Sequence, residues 1–416
     1  MHVKYHKTCR ICGNKNLTEV IDLGYQHIQG AFEHPDSETP PRRKISNRIV
    51  RCDTSKEEDA CGLIQAEVSV SPEILYRNYW YKSGVSQTMK SHLKSIVDEA
   101  LEITHLDKSK EATVIDIGMN DGTLLRNYPN YFRRIGVDPS NIAAQQEDLE
   151  VINEVFPVSL DVHADIITSI ACFYDVNDPI QFVRAIKNML KPYGVWIFEV
   201  AYWKSMVENL AFDQILTEHA VHYHLAPIEF LLKQAGLKLF FAKKTPTNGG
   251  SIVCYVSHES CDKYDTTKRK KALKELRFEE FDAYLDDDSR YFKFRDDVLK
   301  SGEQLHSFIA RERKNGKTIH LYGASTKMNT ILQAFTIQPP LIEYAAERSP
   351  EKFGAKTLSG IKILSEEESR AMKPDYYLCS LIGFKDEILK RERDFLKNGG
   401  KFIFPLPKLE VIGDED

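Results

Sequence analysis

The sequence contains no apolar run that approaches the ~20 residues required by a membrane-spanning helix. It also lacks a large excess of either charge, because 56 Lys and Arg residues face 61 Asp and Glu residues. The net charge of −5 argues against a nucleic-acid backbone as the main partner. The start, MHVKYHKTCR, lacks the apolar core of a signal peptide, and no internal repeat of about 20–50 residues is apparent. We therefore expect a soluble, cytoplasmic protein whose eight Cys residues are free or metal-bound.

Three regions differ in their residue pattern. Four of the Cys residues lie within the first 61 positions. Short apolar runs then alternate with amphipathic segments from ATVIDIG to GSIVCYVSH, which is typical of a mostly parallel, doubly wound α/β sheet. A charge-dense segment, expected to be helical over 262–317, leads into a second α/β pattern that begins at KTIHLYGAS. The sequence predicts a small zinc-binding module over 1–70, an α/β domain over 71–260 and a second, Rossmann-like α/β domain over 261–416.

The N-terminal Cys residues form two pairs. Cys9 and Cys12 make a CxxC knuckle, and Cys52 and Cys61 follow with eight residues between them. Four thiolates complete a tetrahedral zinc shell without an open position, which is typical of a structural site. Free buried thiols are the alternative, and a redox CxxC is disfavoured because no thioredoxin-like βαβ unit surrounds it. Since so short a module has little core of its own, we expect zinc to supply much of its folding energy.

The stretch VIDIGMNDGTLL has the pattern of a strand, a tight glycine turn and the start of a helix. Gly118 and Gly122 allow the backbone to approach a ligand, and Asn120 occupies the intermediate glycine position of GxGxxG. Asp138 ends the next strand, where a carboxylate can accept hydrogen bonds from ribose hydroxyls. The turn therefore predicts a nucleoside-containing cofactor, with a dinucleotide as one possibility.

Two details favour S-adenosylmethionine over a dinucleotide. Asp116 lies two residues before the first glycine, where class I methyltransferases keep an acidic residue for the amino-acid end of the cofactor. The polar residues Asn120 and Asp121 replace a pyrophosphate cradle, and S-adenosylmethionine carries no phosphate. The runs GLKLFFAKK and GSIVCYVSH also fit the antiparallel hairpin that closes the class I methyltransferase sheet.

A histidine cluster lies in FDQILTEHAVHYHLAP, residues 212–227. It admits three interpretations, namely metal ligands, a general base with its neighbours, or a polar patch without chemistry. The metal interpretation is the weakest, because His219, His222 and His224 lack the HExxH arrangement and the four Cys residues already account for a metal. For His222 and His224 taken singly, a structural role is the stronger interpretation.

The order of the motifs resembles one known family over nearly the whole chain. The motifs are CRICG, ACGLIQ, YWYKSGVSQTMKSHL, DIGMNDGTLL, TEHAVHY, NGGSIVCYVSH, YGASTK, PDYYLCS and GGKFIFPLP. They resemble the S-adenosylmethionine-dependent sugar C-methyltransferases that act on nucleotide-linked keto-deoxysugars. The resemblance implies a class I methyltransferase domain between the zinc module and a C-terminal domain that binds the nucleotide diphosphate.

In that family the Glu-His pair after the fifth strand is the proposed catalytic centre, which falls here on Glu218 and His219. Carbon methylation needs a carbanion equivalent, obtained by removing the proton next to a ketone, and a neutral His is a suitable base at neutral pH. The resemblance makes His219 the base and gives Glu218 the task of orienting it or binding a sugar hydroxyl. Tyr223 and His222 would share the face of His219 if the segment is helical.

The resemblance assigns further residues to the substrate region. Tyr79 and Tyr81 of YWYKSG are candidates for hydrogen bonds to the substrate, and Tyr81 also for the cofactor, with aromatic packing as the alternative. Asn248 and Gly249 are expected beside the site, with a bare turn as the alternative.

Two departures from the family concern the reacting region. Tyr174 stands where much of the family carries a His after the fourth strand, and Leu216 replaces a Tyr found two positions before the Glu. Tyr174 can still donate a proton, but it is a poor base at pH ~7. The sugar or the methylated atom can therefore differ from that of the family.

The C-terminal domain begins with LYGASTKMNT, a strand, a turn of small residues and a helix, which suits a phosphate at a helix N-terminus. The turn would offer backbone donors, among them the amide of Ala324. Met328 stands where most of the family has Gly, and a purely scaffolding domain is the alternative. By resemblance, the residues expected to contact the nucleotide sugar are Gly323, Ser325, Lys327, Glu347, Arg348 and Lys352.

These observations lead to one main hypothesis and two rivals. The main hypothesis is a C-methyltransferase on a nucleotide diphosphate-linked keto-deoxysugar, with S-adenosylmethionine as methyl donor and a structural zinc ion. The first rival is an O- or N-methyltransferase on a related sugar or secondary metabolite. The second is a non-catalytic scaffold that binds sugar nucleotides. The sequence does not choose between a monomer and a homodimer.

Overall fold

A computed structural model describes residues 3–36, 40–77, 79–106 and 111–414. Three units follow one another along the chain and enclose a common cleft. Within the described ranges, no helix combines the length and the apolar character required to cross a bilayer.

The N-terminal unit is built from short antiparallel strands. In the main sheet β4 lies between β2 and β5, and β1 pairs with β6. Ile21, Ile49 and Leu63 are fully buried beside the Cys residues, so the module has only a small apolar core. Its elements are β1 Val3–Tyr5, β2 Leu17–Gln26, β3 Phe32–Glu33, β4 Ile45–Cys52, β5 Ile64–Ala66, β6 Val68–Val70 and the helix α1 Pro72–Tyr76.

The central unit is a doubly wound sheet, as predicted. The elements in chain order are α2 Gln87–Thr104, β7 Thr113–Ile117, β8 Arg133–Val137, β9 Glu150–Ile152, β10 Ala164–Ile170, α3 Pro179–Met189, β11 Leu190–Ala201, α4 Trp203–Glu208, β12 Val221–His222, α5 Leu225–Ala235, β13 Leu237–Thr245 and β14 Ser251–His258. The order across the sheet is β13-β14-β11-β10-β7-β8-β9. All neighbours from β11 to β9 are parallel, whereas β14 runs antiparallel to both β11 and β13, which confirms the predicted closing hairpin.

Local sequence signals explain where the helices of this unit begin. Ser86 caps α2, since its hydroxyl accepts a hydrogen bond from the amide of Met89. Asp178 caps α3 in the same way, and Pro179 follows at the first helical position. The strands β10 and β11 are buried along most of their length because helices cover both faces of a parallel sheet.

The C-terminal unit confirms the predicted helical connection and second α/β pattern. Its elements are α6 Thr267–Asp282, α7 Asp288–Lys314, β15 Ile319–Tyr322, α8 Thr326–Ala334, β16 Tyr344–Glu347, β17 Lys356–Thr357, β18 Lys362–Ser365, α9 Glu366–Ala371, β19 Tyr376–Leu378, α10 Lys385–Arg391, α11 Arg393–Lys397, β20 Lys401–Phe404 and β21 Glu410–Ile412. The order across its sheet is β21-β20-β19-β15-β16-β18-β17-β3. Across the described residues of both α/β units, short 3₁₀ turns lie at Ser83–Val85, Leu125–Asn127, Ala143–Gln145, Phe173–Asp175, Phe212–Gln214, Thr247–Gly249, Pro350–Lys352 and Ile382–Phe384.

Two very short strands cross between units. β3 of the N-terminal module pairs with β17 at the edge of the C-terminal sheet. β12, which lies within the central unit in sequence, pairs instead with β5 of the N-terminal module. The proposed boundaries near 70 and 260 stay a prediction, and the three units are joined by shared sheets as well as by the chain.

Candidate active site

A cleft of about 1980 Å³ lies where the three units meet. Its walls include the glycine turn after β7, the segment between α1 and α2, the loop before β12 and the turns after β15 and β16. The carboxyl ends of parallel strands from both α/β units therefore open into the same space, which is where ligands of such sheets bind.

The glycine turn adopts the backbone that its sequence predicted. Gly118 and Gly122 have φ of +75° and +73°, and Asn120 is also left-handed with φ 53°. A Cβ at Gly118 would lie only 2.9 Å from Cys172, so this position requires glycine. Asp138 accepts hydrogen bonds from the amide of Asn120 at 2.9 Å and keeps its carboxylate at the cleft wall. These residues fit the nucleoside part of S-adenosylmethionine.

The segment 79–86 lies across this turn. The amide of Ser83 donates to Asn120 Oδ1 at 2.9 Å, and Asn120 Nδ2 donates to the carbonyl of Tyr81 at 2.9 Å. The amide of Gly84 donates to Asp121 Oδ2 at 2.7 Å. Asp121 therefore holds this segment, and neither Asp121 nor Gly122 lines the cleft.

Asp116 also differs from its predicted place. Its carboxyl is buried beneath the turn and accepts a hydrogen bond from Thr168 Oγ1 at 2.6 Å. Burial raises the pKa of Asp116 to about 7. Because Asp116 does not line the cleft, this geometry does not support the direct contact with the cofactor that we predicted.

Glu218 and His219 lie together on the cleft wall and are both almost fully buried. His219 Nδ1 lies 2.7 Å from the backbone oxygen of Gln214. Since a carbonyl oxygen only accepts hydrogen bonds, Nδ1 carries the proton and Nε2 keeps a free lone pair. Burial lowers the pKa of His219 well below its ordinary value, with a smaller effect from His222, so the ring is neutral. The pair thus presents an unprotonated ring nitrogen in the tautomer that a base requires.

An acidic group missed by the sequence reasoning lies near this pair. Asp175 follows β10, lines the cleft, and its buried Oδ1 has no partner among the described residues. Burial raises the pKa of Asp175 well above its ordinary value, and the charge of Glu218 adds to this. Burial alone raises the pKa of Glu218 to about 7. Tyr76, also missed, donates a hydrogen bond from its hydroxyl to the backbone oxygen of Glu218 at 3.3 Å.

The segment after His219 is not helical, so the expectation that Tyr223 and His222 share a helical face with His219 is wrong. Val221 and His222 form β12, because their backbone pairs with β5 of the N-terminal module. Tyr223 stacks on Phe173 with ring centroids 4.9 Å apart, and His222 contacts Trp203. Neither residue lines the cleft, and both belong to the core.

The other predicted aromatic residues do line the cleft. Tyr174 packs against the His219 ring at a centroid distance of 4.2 Å, and Leu216 lies beside it on the cleft wall. Tyr79 contacts Tyr76 edge to face at 6.1 Å. Tyr81 is the most exposed of these residues, at 47% of its surface, and burial of its hydroxyl still raises its pKa to about 12.

All the residues predicted in the C-terminal unit reach the cleft, as do Asn248 and Gly249. Ser325 caps α8 through the amide of Met328. Glu347 accepts a hydrogen bond from the amide of Ala324 at 3.1 Å and pairs with Lys352 at 3.5 Å. The amide of Ala324 is therefore already occupied, which corrects the expectation that it is free for a ligand.

Lys327 bridges two units inside the cleft. Its Nζ donates to the backbone oxygen of Asn248 at 3.2 Å, and Gln214 Nε2 donates to the same oxygen at 3.0 Å. Burial lowers the pKa of Lys327 and raises that of Asp213, which interact electrostatically. Lys327 thus connects the turn after β15 with the residue whose carbonyl holds His219.

The four N-terminal Cys residues converge as predicted. The sulfur pairs Cys9–Cys61 and Cys12–Cys52 are each 3.4 Å apart, and all four sulfurs lie within 4.8 Å of one another. Tetrahedral zinc with Zn–S bonds of ~2.3 Å needs sulfur separations of about 3.8 Å, so the set fits this ion with small adjustments. A hydrogen bond with Cys61 lowers the pKa of Cys12 to about 6, which favours a thiolate. The module is a zinc-binding domain of the closed, structural type.

Comparison with known proteins gives successive matches along the chain. A zinc binding domain matches residues 9–76, a methyltransferase domain 87–240 and a C-methyltransferase C-terminal domain 246–407. The C-methyltransferase NovU from Streptomyces niveus is 26% identical over 420 residues, which cover 98% of this chain and 97% of NovU.

Solved structures are similar to part of the chain. The PH0226 protein from Pyrococcus horikoshii OT3 is 18% identical, covers 43% of this chain and 94% of its own, and has a TM-score of 0.35. An S-adenosylmethionine-dependent methyltransferase from Clostridium acetobutylicum ATCC 824 is 15% identical, covers 41% and 92%, and has a TM-score of 0.34. On the strength of the three successive domains, the full-length relative and the glycine turn, this chain is an S-adenosylmethionine-dependent methyltransferase that carries a zinc-binding domain and a C-methyltransferase C-terminal domain.

Proposed function

We propose that this enzyme methylates a carbon atom next to the ketone of a nucleotide diphosphate-linked keto-deoxysugar. S-adenosylmethionine supplies an electrophilic methyl group on sulfur. His219 would take the proton from the acceptor carbon, and that carbon would bond to the methyl group as the bond from methyl to sulfur breaks and S-adenosylhomocysteine leaves. The observation that carries the proposal is the hydrogen bond from His219 Nδ1 to the Gln214 carbonyl, which leaves Nε2 as a base on the cleft wall.

The charge state of His219 supports this role. A buried ring with a lowered pKa is unprotonated throughout the neutral range, so the base needs no activation before substrate binds. The fixed tautomer also avoids a ring flip during the reaction. A lowered pKa makes the base weaker, and the acidity of a C–H bond next to a ketone therefore has to be increased by hydrogen bonds to the ketone oxygen.

The two buried carboxyls supply a source for such hydrogen bonds. Burial raises the pKa of Glu218 to about 7 and that of Asp175 well above its ordinary value, so both carboxyls are shifted towards the protonated form near neutral pH. A protonated carboxyl in an apolar site is a strong donor to an enolate oxygen. Tyr174, whose ring packs on His219, is a second donor at the same wall.

The turn after β15 supports binding of a diphosphate. The amides of Thr326 and Lys327 at the start of α8 have no hydrogen-bond acceptor within the described part of the chain. Free amides at a helix N-terminus attract anions, and the side chains of Lys327, Arg348 and Lys352 line the same end of the cleft. A nucleotide diphosphate held there lets the sugar extend towards His219, which also lines the cleft.

The test is solvent exchange without methyl donor. A panel of nucleotide-linked ketosugars is incubated with the enzyme in D₂O, and NMR follows deuterium uptake next to the ketone. C-methylation predicts exchange that His219→Asn abolishes. His222→Asn is the matched control, since His222 is a buried neighbour that does not line the cleft, and it should retain exchange if its melting temperature is preserved.

The rivals predict different results. An O- or N-methyltransferase transfers labelled methyl groups but shows no carbon exchange with any ketosugar. A non-catalytic scaffold does not bind S-adenosylmethionine measurably by calorimetry. Product NMR after methyl transfer then locates the new methyl group.

A further inference from the structure

The loop that carries Glu218 and His219 is docked on the N-terminal module. The backbone oxygen of Ile215 accepts a hydrogen bond from Asn47 Nδ2 at 2.9 Å. The amide of Thr217 donates to Gln29 Oε1 at 3.0 Å. After the pair, β12 continues the sheet of the module through β5. The zinc-binding domain is therefore the surface on which the catalytic loop is shaped.

Arg10 contacts the residue that directly follows the base. It lies inside the CxxC knuckle, between the two ligands Cys9 and Cys12. Its Nη1 donates to the backbone oxygen of Ala220, the residue directly after His219. Its amide donates to Gln65 Oε1 at 2.9 Å, so backbone and side chain of Arg10 both act on the β5–β12 edge.

The Arg10 guanidinium contacts Ala220 in a buried part of the protein. Nε and Nη2 of Arg10 are buried and have no acceptor within the residues that the structure describes. The hydroxyl of Tyr223 and Nε2 of His222, on the same segment, are likewise buried and without a partner in that part of the chain. Within the described residues the guanidinium therefore has one hydrogen bond, and the position of its backbone determines where that bond is made. That backbone is held by the metal ligands on either side.

We propose that Arg10 is a positioning residue that couples the zinc site to the catalytic base. Zinc fixes the separation of Cys9 and Cys12 and thereby the direction in which the Arg10 side chain leaves the knuckle. The guanidinium then holds the Ala220 carbonyl and, through one peptide unit, the ring of His219. The inference rests on the proposed role of His219, but its test does not require a substrate.

Loss of Arg10 is expected to change geometry and not the fold. The Ala220 oxygen also accepts a hydrogen bond from the amide of Ala66 at 3.0 Å, and the ladder to β5 remains. The loop therefore stays docked while one of two donors to that oxygen is removed. Since displacement of a catalytic group by about 1 Å can cost ~100-fold in rate, a small rotation of this peptide is sufficient to matter.

The experiment reads the tautomer of His219 by ¹⁵N NMR of histidine-labelled protein, with His219→Asn used to assign its signals. Wild type should show the Nδ1-protonated form. Arg10→Ala should show both tautomers, with the Nε2-protonated form at ~10% or more, while zinc content by elemental analysis stays at about one ion per chain. S-adenosylmethionine, titrated by calorimetry, should bind within about twofold of wild type. Arg10→Lys, which retains a donor and a charge, should restore most of the wild-type signal.

Arg48→Ala is the matched control. Arg48 belongs to the same module, and its ion pairs with Glu19, Asp22 and Glu67 all lie within that module, so the tautomer should not change. An unchanged His219 signal in Arg10→Ala with full zinc content overturns the proposal. So does a loss of zinc together with a loss of S-adenosylmethionine binding, because Arg10 then only maintains the fold. Solvent exchange in wild type tests His219 as a base independently of either result.

Discussion

Replacing Glu218 with Gln tests whether the cleft wall around Glu218 and His219 excludes water, as the burial of these two residues indicates. Glu218 is 8% exposed, and burial raises the pKa of its carboxyl from 4.5 to about 7. A carboxyl with a raised pKa stabilises the folded state when it is protonated. Its contribution is fully present below pH ~4.5 and is lost as the pH rises through about 7, because the buried carboxylate then lacks the hydration that it has in the unfolded chain. The amide of a Gln at this position has no such proton equilibrium.

The size of the effect follows from the shift. At about 1.4 kcal/mol per pKa unit, the change from 4.5 to about 7 corresponds to about 3.5 kcal/mol. Roughly 2.5 kcal/mol of this should appear between about pH 5 and pH 8. Over that range the free energy of unfolding of wild type should fall by this amount relative to that of Glu218→Gln.

The assay is urea unfolding of both proteins across this pH range, with equal m-values required before free energies are compared. Glu367→Gln, at an exposed position on α9, is the control and should track wild type at every pH. If the difference between wild type and Glu218→Gln does not change with pH, the carboxyl is solvated and ionised in the folded protein. Glu218 then cannot be the protonated donor at this wall.

Three further substitutions test other parts of the site. Gly30→Ala places a Cβ 2.2 Å from Glu218 Oε1, so the Glu218 side chain has to move. We expect kcat in a methyl-transfer assay to fall ~10-fold while the affinity for S-adenosylmethionine, measured by calorimetry, is kept. An unchanged kcat contradicts this expectation. Gly118→Ala strains a residue with φ +75° against Cys172, and the Kd for S-adenosylmethionine should rise ~10-fold or more by calorimetry, an equal Kd being the contrary result. Cys12→Ser removes one ligand, so zinc per chain and the melting temperature should both drop, and full zinc occupancy would rule out a four-sulfur site.

The sheets could be predicted from the sequence because their signal is local. A strand buried on both faces reads as a continuous apolar run, and ATVIDIG and ADIITSI became β7 and β10 close to the expected limits. The glycine turn was equally accessible, since a left-handed backbone requires particular residues at Gly118 and Gly122. The CxxC knuckle could be predicted from the spacing of its two Cys residues alone.

The loop that carries Glu218 and His219 could not be predicted in the same way because its backbone shape depends on pairing with the N-terminal module. Nothing in the periodicity of Glu218 to His224 signals that two residues pair with β5, some 155 positions earlier in the chain. The result is that His222 and Tyr223 turn into the core, although they stand beside the base in sequence. β3 and β12 are each two residues long and carry no pattern of their own.

Asp175 could not be predicted as a site residue for a related reason. It belongs to none of the motifs that carry the family resemblance, and the departure from the family lies at the neighbouring Tyr174. Its position was the available signal, because it follows β10 at the carboxyl edge of a parallel strand adjacent to the glycine turn. Whether Asp175 turns towards the cleft depends on the 3₁₀ turn Phe173–Asp175, which the sequence pattern does not predict.

The shared strands also bear on how substrate reaches the base. Hinged opening of the cleft would separate β3 from β17 and break their backbone pairing, because the N-terminal module holds the C-terminal sheet at one edge and the catalytic loop at another. The segment 79–86 is attached more weakly, by hydrogen bonds to the side chains of Asn120 and Asp121 and one ion pair from Lys82 to Glu351 at 3.3 Å. That ion pair is exposed and contributes at most about 1 kcal/mol. We therefore expect displacement of this segment to cost less than separation of the shared strands.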